Sequence, residues 1–282
     1  MKKITYIYLA LMTVLSACSK KESLRDESVI KDDTDAKTAL DTYIYNQFVA
    51  PYNIGISYKY VDANYDMTRL LYPPTESKVR PFLEMIKDVW IGSYVQVAGT
   101  NFVKQIAPRE IALIGGKSLD PIDDTETLGT ADNGVKITLF RVDHFNYDDL
   151  DSSLVKLLFH TIQHEYCHII NQKKAFSPDF AKITPADYTS TWFNLVDQQA
   201  NELGFITSYA MANPLEDFAE MTSMMLLQSK SEWDATIDAM PDKGKAAIKK
   251  KEAFVVEYFK GEWNINFYEL QAIVYQRMQN YL

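Results

Sequence analysis

The sequence is short of cysteine, with only Cys18 and Cys167 in 282 residues. A disulfide framework is therefore excluded, and so is a structural zinc site closed by several cysteines. Stability has to come from a buried core, and a chain that is 47% hydrophobic with 18 Tyr and 14 Phe can supply one. Basic charge is also short. There are 29 Lys and Arg against 38 Asp and Glu, a net charge of −9, and nucleic-acid binding calls for a basic face. No internal repeat and no low-complexity block interrupts the chain. Histidine is the scarcest side chain with metal-binding chemistry after cysteine. His144, His160, His164 and His168 are the four, and none follows His168.

The N-terminus has a positive start at Lys2 and Lys3, a largely apolar run over residues 4–14, and then Leu15-Ser16-Ala17-Cys18. These are the parts of a signal peptide, here residues 1–17. The run is shorter than the roughly 20 residues a membrane-spanning helix takes. Leu-Ser-Ala-Cys resembles the bacterial lipobox, which implies cleavage before Cys18, acylation of its thiol and firm membrane attachment. Residues 18–35 are rich in charge and poor in large apolar side chains, so they read as a solvated tether. Residues 36–282 then form a single domain.

Within that domain the N-terminal part reads as mixed α and β. Helical spacing covers residues 39–49, with Pro51 as its stop, and residues 81–97. Strand-like alternation covers 54–61 and 135–142, and 111–114 reads as a short buried strand. Residues 117–134 read as a loop, and the strand 135–142 is a candidate for the edge of a binding cleft. The C-terminal part is mostly helical, over about 152–172 with Asp151 or Ser152 as cap, 214–228 with Pro214 first, 243–259 and 267–281. The fold class is α+β.

The chemistry concentrates in His164-Glu165-Tyr166-Cys167-His168, an H-E-x-x-H pattern inside the helix 152–172. Residues four apart lie on one face, about 6 Å along the axis, so two imidazoles can share one metal ion. Glu165, one step round the helix, is placed to take a proton from a water that the metal has made more acidic. Apolar flanks at Leu157, Leu158, Ile162, Ile169 and Ile170 mark this helix as buried, and buried polar groups need partners. A catalytic zinc takes a third protein ligand. With no histidine after His168, it is a downstream carboxylate or the upstream His160. Glu216 and Glu220, four apart in an apolar stretch, would repel one another if buried without a cation between them and the histidines. Glu216 is assigned as ligand and Glu220 as the group that orients a bound histidine, with the reverse order left open. His160 is read as a hydrogen-bonding neighbour, Cys167 as a small buried hydrophobe, and His144 as a loop residue.

Glu216-Asp217-Phe218-Ala219-Glu220, with Tyr209 seven residues before Glu216, resembles the lethal-factor group of gluzincin peptidases. That resemblance implies a gluzincin-like fold, zinc on His164, His168 and Glu216, and Tyr209 steadying the developing oxyanion. The lipobox, Pro51-Tyr52-Asn53-Ile54 and the His160-Thr161-Ile162 lead-in to the motif are similar to the zinc-binding metallopeptidase lipoproteins of Bacteroidetes-type bacteria. This second likeness implies one Zn²⁺ ion, a peptide or protein substrate, and attachment to the outer membrane on its periplasmic or surface side. Nutrient-import proteins of that membrane are then the implied partners, with no role for nucleic acid. The competing expectation is an accessory binding lipoprotein with little or no catalysis, which the intact Glu165 argues against.

Overall fold

The computed structural model describes residues 37–122, 124–132 and 134–282. The expected leader, Cys18 and the tether lie outside the described residues. The compact unit runs Ala39–Leu282.

Helix α1 (Ala39–Ile44) continues through a π-type turn, Tyr45–Val49, into Ala50–Tyr52. Pro51 therefore does not end it. The wider π turn admits the prolyl ring, and Asn53, at φ 59°, stops the helix in the left-handed region. Strand β1 (Gly55–Ser57) is only the start of the stretch that alternation suggested. Helix α2 (Glu76–Ile86) begins earlier than expected and carries Pro81 within it. It passes through a second π turn to α3 (Ser93–Ala98), and α4 (Thr100–Ile106) follows. Strand β2 (Glu110–Leu113) comes next.

Residues 117–134 are not a plain loop. They hold β3 (Ser118–Leu119), β4 (Glu126–Thr127) and β5 (Gly129–Asp132), before β6 (Lys136–Leu139). The main sheet has the order β1-β2-β6-β5, while β3 and β4 form a separate pair. β1, β2 and β6 run parallel, and β5 is antiparallel to β6 with Gly129 opposite Leu139. β6, expected at the cleft edge, thus lies inside the sheet with Ile137 and Leu139 fully in the core. Thr138 between them is buried as well, so the strand is paired on both sides and shielded on both faces over residues 137–139. The edge belongs to β5, whose Gly-Thr-Ala-Asp carries no apolar alternation.

The C-terminal part is helical, as expected. It comprises α5 (Ser152–Lys173), α6 (Asp197–Leu203), α7 (Pro214–Leu226), α8 (Lys230–Asp238), α9 (Asp242–Trp263) and α10 (Phe267–Met278). Caps explain several boundaries. Asp151 accepts from Ser153 N and Leu154 N at the start of α5, and Asn213 accepts from Leu215 N and Glu216 N at the start of α7. Ser229 and Glu232 form a reciprocal capping box on α8. One core cluster joins sheet and helices. Trp90, and Tyr94 of α3, pack edge-on against Tyr166 of α5, with ring centres 5.1 and 4.9 Å apart. The helix that carries the H-E-x-x-H pattern is thereby held from the N-terminal side as well as by α7. Among the described residues, no helix is long and apolar enough to cross a membrane.

Candidate metal centre

Helices α5 and α7 pack against each other and bring the two motifs face to face. His164 Nε2 lies 3.0 Å from His168 Nε2 and 2.9 Å from Glu216 Oε2, and His168 Nε2 lies 3.1 Å from the same oxygen. Three donor atoms therefore form a nearly equilateral triangle. Ligands at about 2.0–2.1 Å from a tetrahedral ion stand about 3.3 Å from one another, so the triangle has close to the size of one face of such a site. Two imidazoles and a carboxylate are also the donor set that zinc favours. The residues fit the ion.

Glu220 stands behind this triangle. Its Oε1 is 2.8 Å from His164 Nδ1 and 3.1 Å from His160 Nε2, and its Oε2 accepts from the Thr207 hydroxyl at 2.6 Å. His160 Nδ1 in turn meets the Ser223 hydroxyl at 3.2 Å. Glu220 is 2% exposed. A carboxylate on Nδ1 fixes the His164 tautomer and turns the Nε2 lone pair toward Glu216 and His168. His160, His164 and Glu220 also come together as a possible ligand set, but there the carboxylate is enclosed and held by Thr207. The two open alternatives for the carboxylates thus differ in geometry. Glu216 faces the nitrogens of both motif histidines, and Glu220 faces the rear of one.

Electrostatics agree with a cation at this point. Burial alone would lower the His164 pKa, but the Glu216 and Glu220 carboxylates bonded to it outweigh burial and raise it to about 10. Burial works to raise Glu216 and Glu220, yet His164 and His168 hold the first, and His160 and His164 the second, below the usual carboxylate range. The cluster stabilises positive charge between its carboxylates, whether proton or metal.

Glu165 and Tyr209 line the same cleft, of about 430 Å³, beside His164. Tyr209 sits on the turn Tyr209–Ala212, its ring centre 5.7 Å from that of His164. Partial burial, and then the negative charge of Glu216, raise its phenol above the ordinary value, so it stays a donor. The other rim is the segment from Glu126 to Gly129, which runs from β4 to the first residue of β5. A Cβ on Gly129 would fall 2.4 Å from Thr161 Cγ2, so glycine alone lets this strand lie directly on α5, next to His160 and His164. Cys167 is buried and turned to Asn171, and burial pushes its thiol up to about 12. His144 is exposed on the turn Val142–His144, outside the cluster.

The sequence did not reveal three contributors. Thr207 donates to Glu220 and accepts from Ala210 N, which ties Glu220 to the turn bearing Tyr209. Trp192 packs on Tyr209 in the cleft wall. Asp217, next to Glu216, forms a fully buried 2.7 Å ion pair with Lys251. An Asp at an otherwise apolar helix position was the one available signal for that pair.

A family profile described as "Putative zinc-binding metallo-peptidase" matches residues 33–268. The structure is similar to a crystal structure of a "putative zinc-binding metallo-peptidase" from Bacteroides caccae, at 30% identity. The match covers 90% of this chain and 96% of that one, with a TM-score of 0.73. No curated protein matches.

Proposed function

This chain belongs to the zinc-binding metallopeptidase family, and from that premise we propose that it is a hydrolytic peptidase of the gluzincin kind, with one zinc ion held by His164, His168 and Glu216. The observation that carries this reading is the triangle of their donor atoms, 2.9–3.1 Å on a side, opening beside Glu165 and Tyr209.

Bound zinc supplies Lewis acidity to a substrate carbonyl and to water at neutral pH. The chain's own residues do the rest. Glu165 takes the proton of the attacking water and hands it to the departing amine. The Tyr209 hydroxyl donates to the carbonyl oxygen as negative charge gathers there. Glu220, braced by Thr207 and His160, keeps His164 from rotating. β5 is the last strand of its sheet, so an extended peptide can add along residues 129–132 through its main chain. That edge favours peptide over other carbonyl substrates.

The same reading puts the domain at the outer membrane, tethered by a lipid on Cys18, with import proteins as neighbours. The lipobox-like Leu15-Ser16-Ala17-Cys18 supports the lipid tether.

Metal analysis of the mature protein tests the centre. The wild type is expected to hold about one zinc per chain, and Glu216→Ala to lose most of it after dialysis. Full retention in Glu216→Ala would reassign the third ligand, and zinc absent from reconstituted wild type would defeat the enzyme reading. Thr207 gives a finer check. Thr207→Val leaves Glu220 Oε2 without a donor and is expected to weaken zinc binding about 10- to 100-fold by competition with a chelating dye. Thr207→Ser, which keeps the hydroxyl, is expected to bind as the wild type does.

A further inference from the structure

Resting on the peptidase reading, we infer that the loop over residues 189–197 forms a side-chain subsite for a large apolar residue of the substrate, with Trp192 and Phe193 as its walls. The geometry is a ladder of rings leading out from the metal-site histidines. The Tyr209 ring lies 5.7 Å from His164, Trp192 lies 4.8 Å from Tyr209, and Phe193 lies 5.9 Å from Trp192. Trp192 lines the cleft itself. Beyond it the apolar surface continues into solvent, with Phe193 at 65% and Val196 at 61% exposure. Leu215, the neighbour of Glu216, is 55% exposed. A cleft-lining Trp192 that continues into the exposed Phe193 ring marks a surface that something apolar covers in use.

The wall is held in place. Thr189 N donates to Met211 O at 2.8 Å, and Ser208 N donates to Asp197 Oδ1 at 2.7 Å. Both ends of the loop are therefore tied to the residues flanking Tyr209, and the position of Trp192 relative to the reacting centre is fixed before any ligand arrives. Preorganisation of this kind favours a rigid, defined contact.

Charge narrows the occupant. The loop Thr189-Ser190-Thr191-Trp192-Phe193-Asn194-Leu195-Val196-Asp197 contains no Lys or Arg, and the charged residues lining the cleft are Glu126, Glu165 and Glu220, beside the His160 and His164 imidazoles. An acidic substrate side chain meets no fixed cation there. A Phe, Tyr, Leu or Met side chain meets aromatic faces and edges at the distances aromatic pairs prefer. Aromatic walls also stack on sugars, but β5, the last strand of its sheet, reaches the same cleft at Gly129, and strand addition there is open only to a peptide main chain.

The test uses the zinc-loaded full-length protein with fluorogenic peptides that vary one position between Phe, Leu, Ala and Glu, in wild type, Trp192→Ala and Phe193→Ser. Phe193 is mostly exposed, so its replacement leaves the core intact. In the wild type, one position is expected to favour Phe or Leu over Ala by at least about 10- to 200-fold in kcat/KM, the discrimination that a single methylene commands in an apolar pocket. In both variants that ratio is expected to fall toward unity through KM. In parallel, Glu165→Gln is titrated with the same peptides by calorimetry, which reads binding without turnover. An unchanged Phe-to-Ala ratio in both variants, a preference for Glu, or binding of an oligosaccharide in place of peptides would overturn the subsite. If the wild type cuts no peptide while Glu165→Gln still binds the Phe peptide more tightly than the Ala peptide, the subsite stands and the peptidase reading fails.

Discussion

Glu165→Gln is expected to keep its zinc and to lose about 10²- to 10⁴-fold in kcat/KM on any peptide the wild type cuts. The amide is nearly the shape of the carboxyl and still fills its place on α5, so the helix, the two histidines and the triangle with Glu216 stay as they are. What the amide cannot do is accept a proton from water. Such a loss corresponds to about 3–5 kcal/mol of barrier, and it belongs in kcat because Glu165 is not among the groups that hold the peptide. Metal analysis beside steady-state kinetics separates the roles. Zinc retained with activity lost assigns proton transfer to Glu165. Zinc lost together with activity would move Glu165 into the ligand set, and undiminished hydrolysis would remove it from the reaction.

The second large effect lies behind the site. Lys251→Met is expected to destabilise the apo-protein by about 3–5 kcal/mol, a fall of about 10 °C in melting temperature for a domain of this size. Lys251 Nζ reaches Asp217 Oδ2 at 2.7 Å and Gly204 O at 2.7 Å, and lies 3.7 Å from the centre of the Phe205 ring. Neither charged side chain is exposed. Burial pushes the Asp217 carboxyl up to about 6 even with Lys251 and the Tyr188 hydroxyl on it, and burial lowers Lys251. Desolvation thus rivals attraction in this pair. The pair itself adds little net stability, whereas leaving Asp217 in the core with only the Tyr188 hydroxyl and no cation costs heavily. The double variant Asp217→Leu/Lys251→Met is accordingly expected to recover most of the loss. Melting in the presence of a chelator checks this without stabilisation by bound metal. A single variant that melts with the wild type would show that Asp217 finds another partner.

Local signals made the heart of the site legible. Asp151 before α5 and Pro214 as the first residue of α7 mark where those helices begin, and the four-residue spacings His164–His168 and Glu216–Glu220 then place each pair on one face. Parts that depend on distant packing were not legible. Gly129–Asp132 has no pattern of its own and becomes a strand because β6 pairs with it and α5 lies beneath it. Lys251 is the third of three consecutive lysines, and only the packing of α9 on α7 decides which one is buried. Thr207 and Trp192 lie in stretches without periodicity, and their roles rest on contacts with residues 13 and 17 positions away. The π turns after α1 and α2 escaped for the same reason, since their residues read as ordinary helix.

The approach of Gly129 to Thr161 makes the two rims of the cleft unequal in their freedom to diverge. On the β5 side any side chain at position 129 would meet Thr161 and the Thr138 carbonyl, so the strand would have to lift away from α5 and carry its hydrogen-bonding edge with it. Phe193 on the other rim points mostly into water and touches the wall through the Trp192 ring, so exchanging it leaves the core packing beneath in place. A lineage descended from this chain can therefore change which residue it prefers by altering a few exposed loop positions, while the strand that would register any peptide's main chain is inherited unchanged.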